Sequence, residues 1–308
     1  MSQSFFYCSE LSRQRGEPKY GTASVGEVWL LLEYPLWWSR DAFADSAIPT
    51  EVKEYLTHAL AAIPRSRLLL IKQDRPRRPR LKFYVVRARE REPFVAEFTF
   101  TAYEELLRID IAAAARARDH EATTPAPLHL ICTHGRRDKC CAKFGYPLYK
   151  ALRAAGAANV WQSSHVGGDR FAANLICFPH GLFYAHVTEA DARTIINAYD
   201  ERRLVLGKYR GRACYAHAVQ AAEYFVRAES GLDRLDDVRL AGRERVGPHS
   251  WRVAFAAPGL GRVYETVVSS RIAAFHQLLT CAATEEKSVE QFTLDDYRVT
   301  SDHTLAPV

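Results

Sequence analysis

The sequence predicts an α/β protein with a smaller α+β appendage, and three observations carry the prediction. Short apolar segments of strand length alternate with longer stretches whose apolar residues recur at helical spacing. One order of elements, strand, helix, strand, two-stranded hairpin, helix, occurs twice before residue 210. After that point the alternation stops, and strands following a single helix imply the appendage. With 308 residues the chain suits two or three packed units. We divide it into 1–122, 123–210 and 211–308.

The elements follow in order. Glu27-Val-Trp-Leu-Leu-Leu-Glu33 reads as a buried strand closed by the Tyr-Pro turn at 34 and 35. Pro49-Thr50-Glu51 opens a helix to about Ala62, with Val52, Tyr55, Leu56, Leu60 and Ile63 on one side. Strands are expected at Arg67 to Lys72, Leu81 to Ala88 and Phe94 to Phe100, then one helix from Glu104 to Arg118 and a proline-broken linker at 122–127. The second round begins with a strand at Leu128 to Cys132. A helix follows near Tyr146, with Pro147 in its first turn and Gly156 past its end. Asn159 to Ser164 is the next strand. Asn174 to Phe178 and Leu182 to Val187 form a hairpin, and Thr188-Glu-Ala-Asp191 caps a helix bearing Ala192, Ile195, Ile196 and Tyr199. This is the thioredoxin-like order, and residues 24 to about 120 read as a second copy of it without ligands. In the appendage we expect a helix at Ala218 to Ala228 and strands at Arg234 to Arg239, Ser250 to Ala256 and Gly261 to Val268.

At 48% hydrophobic and 25% charged residues, the chain lies outside the disordered and fibrous classes. Its first residues lack the basic start and apolar core of a secretory signal, and Val28 to Trp38 is broken by Glu33 and Pro35, short of the roughly 20 residues of a membrane helix. A cytoplasmic location with no membrane partner is the expectation. There the seven cysteines stay reduced, and an odd, scattered set suits metal or redox work better than a disulfide framework. The formal charge of +6 is densest at Arg75 to Arg80. Acidic residues interleave the rest, and no nucleic-acid-binding motif accompanies them, so nucleic acid is not an expected partner. The cluster reads as a proline-stiffened loop, open to docking by an acidic redox partner.

The chemistry concentrates in Cys132-Thr-His-Gly-Arg-Arg-Asp-Lys-Cys-Cys141 and His165-Val-Gly-Gly-Asp169. If the strands ending at 132 and 164 are parallel neighbours, their carboxyl ends share one sheet edge, where open α/β sheets place ligands. Cys140 and Cys141 then stand before the next helix with Arg136, Arg137 and Lys139 nearby, a setting that favours thiolate. Sulfur with imidazole nitrogen suits zinc or an iron–sulfur cluster. Seven or eight residues between the cysteines is longer than structural zinc pairs use, and favours a loop around something larger than one ion.

These residues resemble the sucrase/ferredoxin-like family, whose core is a thioredoxin-like ferredoxin domain. The resemblance rests on Cys8, Gly21-Thr-Ala23, Trp29-Leu-Leu-Leu-Glu33, the two loops quoted above with their continuation to Asn174, and Gly181 to Tyr184, and spans about residues 8 to 225. It implies a 2Fe-2S cluster with a Cys-x8-Cys pair on one iron and a His-x3-His pair on the other. Carried over, the ligands are Cys132, Cys141 and His165, and Asp169 stands where the second histidine belongs. Three outcomes stay open for the fourth position: ligation by Asp169, completion by Cys140, His134 or Cys177, or a cluster-free site with Asp169 paired to Arg170 or Arg137. Sucrase activity finds no support, because no carboxylate pair is placed for glycoside hydrolysis.

Other residues receive plainer readings. Cys177, Cys214 and Cys281 read as small core hydrophobes. His134 is expected to bind backbone, while His129, Thr133 and Gly135 shape the turn. Gly167 and Gly168 allow close approach to a ligand or a tight turn. Tyr34, Trp37 and Trp38 fill the core of the first half or the seam between halves. The functional expectation is a cytoplasmic electron carrier, not a substrate-turning enzyme, with Arg136, Arg137 and Arg170 adding positive charge at the cluster. The alternative is a cluster-free protein of the same fold, either a structural zinc module or a thiol oxidoreductase.

Overall fold

The computed structural model describes residues 6–74, 80–117, 126–157 and 159–301. Most of the basic cluster at 75–80 and of the proline-broken linker at 122–127 lies outside the described residues. A short helix α1 (Cys8–Gln14) precedes β1 (Val28–Glu33), α2 (Thr50–Ala62), β2 (Ser66–Lys72), β3 (Leu81–Arg87), β4 (Phe94–Phe100) and α3 (Ile111–Arg116). The second round comprises β5 (Leu128–Cys132), α4 (Tyr146–Ala154), β6 (Val160–Ser163), β7 (Leu175–Phe178), β8 (Leu182–Tyr184) and α5 (Glu189–Asp200). Then come β9 (Tyr209–Arg212), α6 (His217–Ser230), β10 (Arg239–Gly247), β11 (Ser250–Ala257), β12 (Arg262–Gln277) and β13 (Lys287–Ser301).

β1 to β9 form one mixed sheet in the order β4-β3-β1-β2-β6-β5-β7-β8-β9. The pairing β4-β3-β1-β2 recurs as β8-β7-β5-β6. In each round the first two strands are parallel and the hairpin returns antiparallel to the first strand. The rounds join where Ile71 and Lys72 of β2 pair antiparallel with Ser163 and Gln162 of β6. Only the carboxyl ends of these strands overlap, so the loops that leave both parallel pairs meet at the seam.

Alternation along β1 shows why these strands form. Trp29 and Leu31 enter a core continuous across the seam with Leu130, Trp161, Phe178 and Phe183. Leu30 and Leu32 enter another with Val52, Leu56, Ile111 and Ala115 of the flanking helices. On that side of the second round, Leu148, Tyr149 and Leu152 of α4 and Ile195 and Tyr199 of α5 cover Ile131, Leu175 and Tyr184. Burial of each such side chain contributes about 1.5–3 kcal/mol. The expected cap of α5 is present: the Thr188 hydroxyl accepts from the Asp191 N–H, and the Asp191 carboxylate accepts from the Thr188 N–H.

β10 to β13 form a second, antiparallel sheet with α6 packed on it through Val219, Ala222 and Val226. A buried ion triad joins α6 to β9. Glu223 accepts from the guanidinium groups of Arg227 at 3.1 Å and Arg212 at 3.4 Å, and from the Tyr209 hydroxyl at 2.8 Å.

Three expectations need correction. The single helix from Glu104 to Arg118 is two: a 3-10 turn at Tyr103–Arg108, then α3. Asp110 accepts from the Ala113 N–H and so starts a new helix inside the run, with Ile109 extended before it. Arg234 to Arg239 is a turn held by the Asp237 carboxylate on the Arg234 N–H, and the strand begins at Arg239. β13 lies beyond the expected strands, because its polar residues form a largely solvated strand that presents no apolar run. No helix among the described residues is long and apolar enough to cross a membrane.

Candidate metal centre

Cys132 is the last residue of β5 and pairs in parallel register with Ser163 of β6, so the loops carrying the two motifs leave the same sheet edge. Before α4 the chain makes a π-helical turn, Cys141–Gly145, that turns Cys141 back over the strand end. Gly145 is what lets this turn press against β5: a Cβ there would stand 2.0 Å from the Cys132 carbonyl oxygen. The ligand atoms of Cys132, Cys141 and His165 then lie within 4.8 Å of one another, and both thiols are buried.

Asp169 borders this trio. Its Oδ1 lies 3.7 Å from the Cys141 sulfur and 3.1 Å from His165 Nδ1. The approach to His165 is close but misaligned, and Nδ1 is a buried nitrogen without a hydrogen bond. A hydrogen bond from Cys141 pulls the Cys132 thiol well below its ordinary range. Burial opposes the shift, and His165 and the His134 N–H support it. Cys141 moves well up, first through the same bond and then through burial. Burial lowers His165, but the bond and charge of Cys132, with Asp169, outweigh it and raise the imidazole. Burial is also the first cause of the raised Asp169 carboxyl. These shifts favour the Cys132 thiolate and the protonated His165 imidazole together.

Surrounding residues hold this geometry. His134 Nδ1 accepts the His165 N–H at 3.2 Å, which leaves Nε2–H to donate to the Ser39 carbonyl at 2.6 Å. This is the backbone role expected of His134, and Trp38 packs edge-on against its ring from the first half of the sheet. Gly167 and Gly168 have φ of +89° and +80°, and a Cβ on Gly168 would stand 2.5 Å from Arg210 Nη2. Arg210, buried on β9, was not anticipated. Its guanidinium donates to the Gly167 carbonyl at 3.2 Å and to Asn174 Oδ1 at 2.8 Å, so it sets the glycine turn from behind. Its pKa falls to about 9, chiefly through burial, then through Arg170, while Asp169 and Cys132 pull the other way. A buried arginine far along the chain leaves no local pattern from which to find it.

The remaining expected residues are more scattered. Arg137 acts on His165 and Asp169 through its charge. Arg170 pairs with buried Glu17 at 2.7 Å, not with Asp169, and Arg136 lies over the exposed Trp37 ring. Cys177 packs in the core among Ile131, Leu175 and Leu182, and half-buried Cys214 packs beside Val219 of α6. Cys140 lies in a different group, with Cys8, Asp138 and Cys281. Cys281 is buried as expected, but its neighbours are thiols rather than an aliphatic core. A cavity of about 770 Å³ opens beside the Thr133-His134-Gly135 turn, lined by Trp37, Trp38, Lys72, Arg136, Lys139 and Lys143 among others.

Two thiols and one imidazole with an unmatched buried nitrogen, bordered by one carboxylate, make a donor set that fits an iron–sulfur cluster or zinc. A family model described as sucrase/ferredoxin-like matches residues 19–211. No curated protein and no solved structure matches the chain.

Proposed function

The chain belongs to the sucrase/ferredoxin-like family, and from that premise we propose that it is an electron carrier with a 2Fe-2S cluster held in a thioredoxin-like ferredoxin unit. One observation carries the reading: Cys132, Cys141 and His165, distant in sequence, converge with a buried His165 nitrogen left without a hydrogen bond. The thiolates of Cys132 and Cys141 would hold one iron, and His165 with Asp169 the other. Such a cluster takes up and returns one electron at a time. This chain's residues set the conditions for that exchange. The His134 N–H directed at the Cys132 sulfur and the guanidinium of Arg210 behind the glycine turn stabilise added negative charge. The Asp169 carboxylate, harder and anionic, works against it. The basic and aromatic lining of the adjacent cavity suits an acidic face on a redox partner.

Cys132→Ser and Cys141→Ser should each abolish iron binding and the visible chromophore; full iron in either variant would remove that residue from the site. Asp169→His should keep the cluster and raise its reduction potential by an amount on the order of 100 mV. An unchanged potential and spectrum would place Asp169 outside the ligand set. A second reading, one zinc at Cys132, Cys141 and His165, is favoured by the mutual spacing of these three within 4.8 Å, compact enough for a single ion. About one zinc per chain lost in the Cys132→Ser variant, without iron or sulfide, would establish it in place of the cluster.

A further inference from the structure

We propose that Cys8, Cys140 and Cys281, with Asp138, form a second metal site that binds zinc and ties α1 and the β12–β13 connection to the loop carrying the first site. The three sulfurs form a closed triangle: Cys8 to Cys140 is 3.6 Å, Cys140 to Cys281 3.2 Å and Cys281 to Cys8 3.7 Å. Sulfurs on a tetrahedral zinc, with Zn–S about 2.3 Å, stand roughly 3.8 Å apart. Asp138 supplies the fourth corner, with its carboxylate oxygens 3.9 and 4.0 Å from the Cys8 sulfur. All four residues are buried.

Their surroundings orient them for this role. One Asp138 oxygen accepts the Cys140 N–H at 2.8 Å and the other accepts the Cys281 N–H at 2.7 Å, which fixes the carboxylate and still leaves lone pairs free. The Ser9 N–H points at the Cys140 sulfur at 3.4 Å and favours its thiolate. A disulfide accounts for the group less well, because it would join two sulfurs and leave the third sulfur and the buried Asp138 carboxyl group without a common partner.

The site has a structural consequence. Cys8 begins α1, Cys281 lies between β12 and β13, and Cys140 immediately precedes Cys141 of the first site. Metal binding here closes contacts between residues separated by 130 positions or more, so its free energy adds to folding, and it anchors the loop from which Cys141 projects. Five of the seven cysteines divide between two adjacent sites, soft sulfur in both.

The test uses full-length protein with Cys132→Ser and Cys141→Ser, which removes the thiolates of the first site. After anaerobic purification it should hold about one zinc per chain. Co²⁺ loaded in place of zinc should give the thiolate-to-cobalt charge-transfer band and strong visible absorption of a tetrahedral site. Adding Cys281→Ser should weaken Co²⁺ binding at least about tenfold in a variant shown folded by circular dichroism. A double variant that takes up neither metal, or a triple variant that binds as tightly, would overturn the proposal. Wild-type protein supplies a measurement independent of folding in the variants: alkylation mapped by peptide, with and without a zinc chelator. Cys8, Cys140 and Cys281 should become reactive together only when the chelator is present. Equal reactivity in both conditions, or recovery of a Cys140–Cys281 disulfide peptide, would refute the site.

Discussion

The two halves of the nine-stranded sheet repeat one strand order, yet their strand ends differ in chemistry. β5 ends on Cys132, whose sulfur joins Cys141 and His165. β1 ends on Glu33, whose carboxylate accepts the Lys82 N–H and closes the sheet edge. After β5 the chain carries a glycine-permitted π turn. After β1 it carries Tyr34, Trp37 and Trp38, of which Tyr34 and Trp38 are buried and Trp37 remains 74% exposed. The difference teaches that one scaffold can offer a ligand edge or a supporting edge, depending on what fills the turn. The first half supports the second directly: the Ser39 carbonyl holds His134, and His134 holds the His165 backbone.

The largest expected effect separates the two strand ends. Cys132→Ser should eliminate bound metal at the first site, while Glu33→Gln should leave metal content unchanged; equal loss in both variants would erase the distinction. Next in size is the triad that fastens the second half to α6. Glu223→Ala leaves Arg212 and Arg227 buried without their anion and should destabilise the protein by about 3–5 kcal/mol in urea unfolding. A change under about 1 kcal/mol would assign the junction of β9 with α6 to apolar packing instead.

Acid should also distinguish the halves. Burial lowers His129 to about 4, and burial with nearby Arg212 and Arg202 lowers His180 to about 3, against an ordinary 6.5. His58, on α2 in the first half, is exposed. Between these values these two imidazoles bind more protons in the unfolded chain than in the folded one, so their contribution to stability is lost as pH falls below about 6.5. At pH 5 the two buried imidazoles together should cost about 3–4 kcal/mol, and hydrogen exchange should loosen β5–β8 before β1–β4. Exchange that rises equally in both halves would contradict this. The smallest effect concerns the glycine turn. Gly168→Ala meets both a left-handed backbone and the Arg210 guanidinium, and should cost about 1–3 kcal/mol while shifting the spectrum of bound metal. A neutral substitution would mean that Arg210 yields readily.

Much of this architecture was legible because local patterns carried it. The alternating runs of β1 and β5, the Thr188 cap and the repeated element order all appear in short windows of sequence. Cys132, Cys141 and His165 could be brought together because parallel strands with a helical crossover have only one common edge. What escaped notice depends on distance or solvation. Arg210 reaches the glycine turn from β9, and Cys8 and Cys281 meet across 273 positions, so nothing near either residue in sequence marks its role. β10 and β13 are largely solvated and lack the apolar alternation that identified the buried strands. In 104–118, an alanine-rich run concealed the second cap at Asp110.

The most direct test is anaerobic purification of the wild-type protein, with iron, acid-labile sulfide and zinc quantified beside the visible spectrum. The account predicts about two irons and two sulfides per chain, a brown chromophore bleached by a one-electron reductant, and about one zinc retained after bleaching. Colourless protein free of iron and sulfide after cluster reconstitution would contradict the electron-carrier reading.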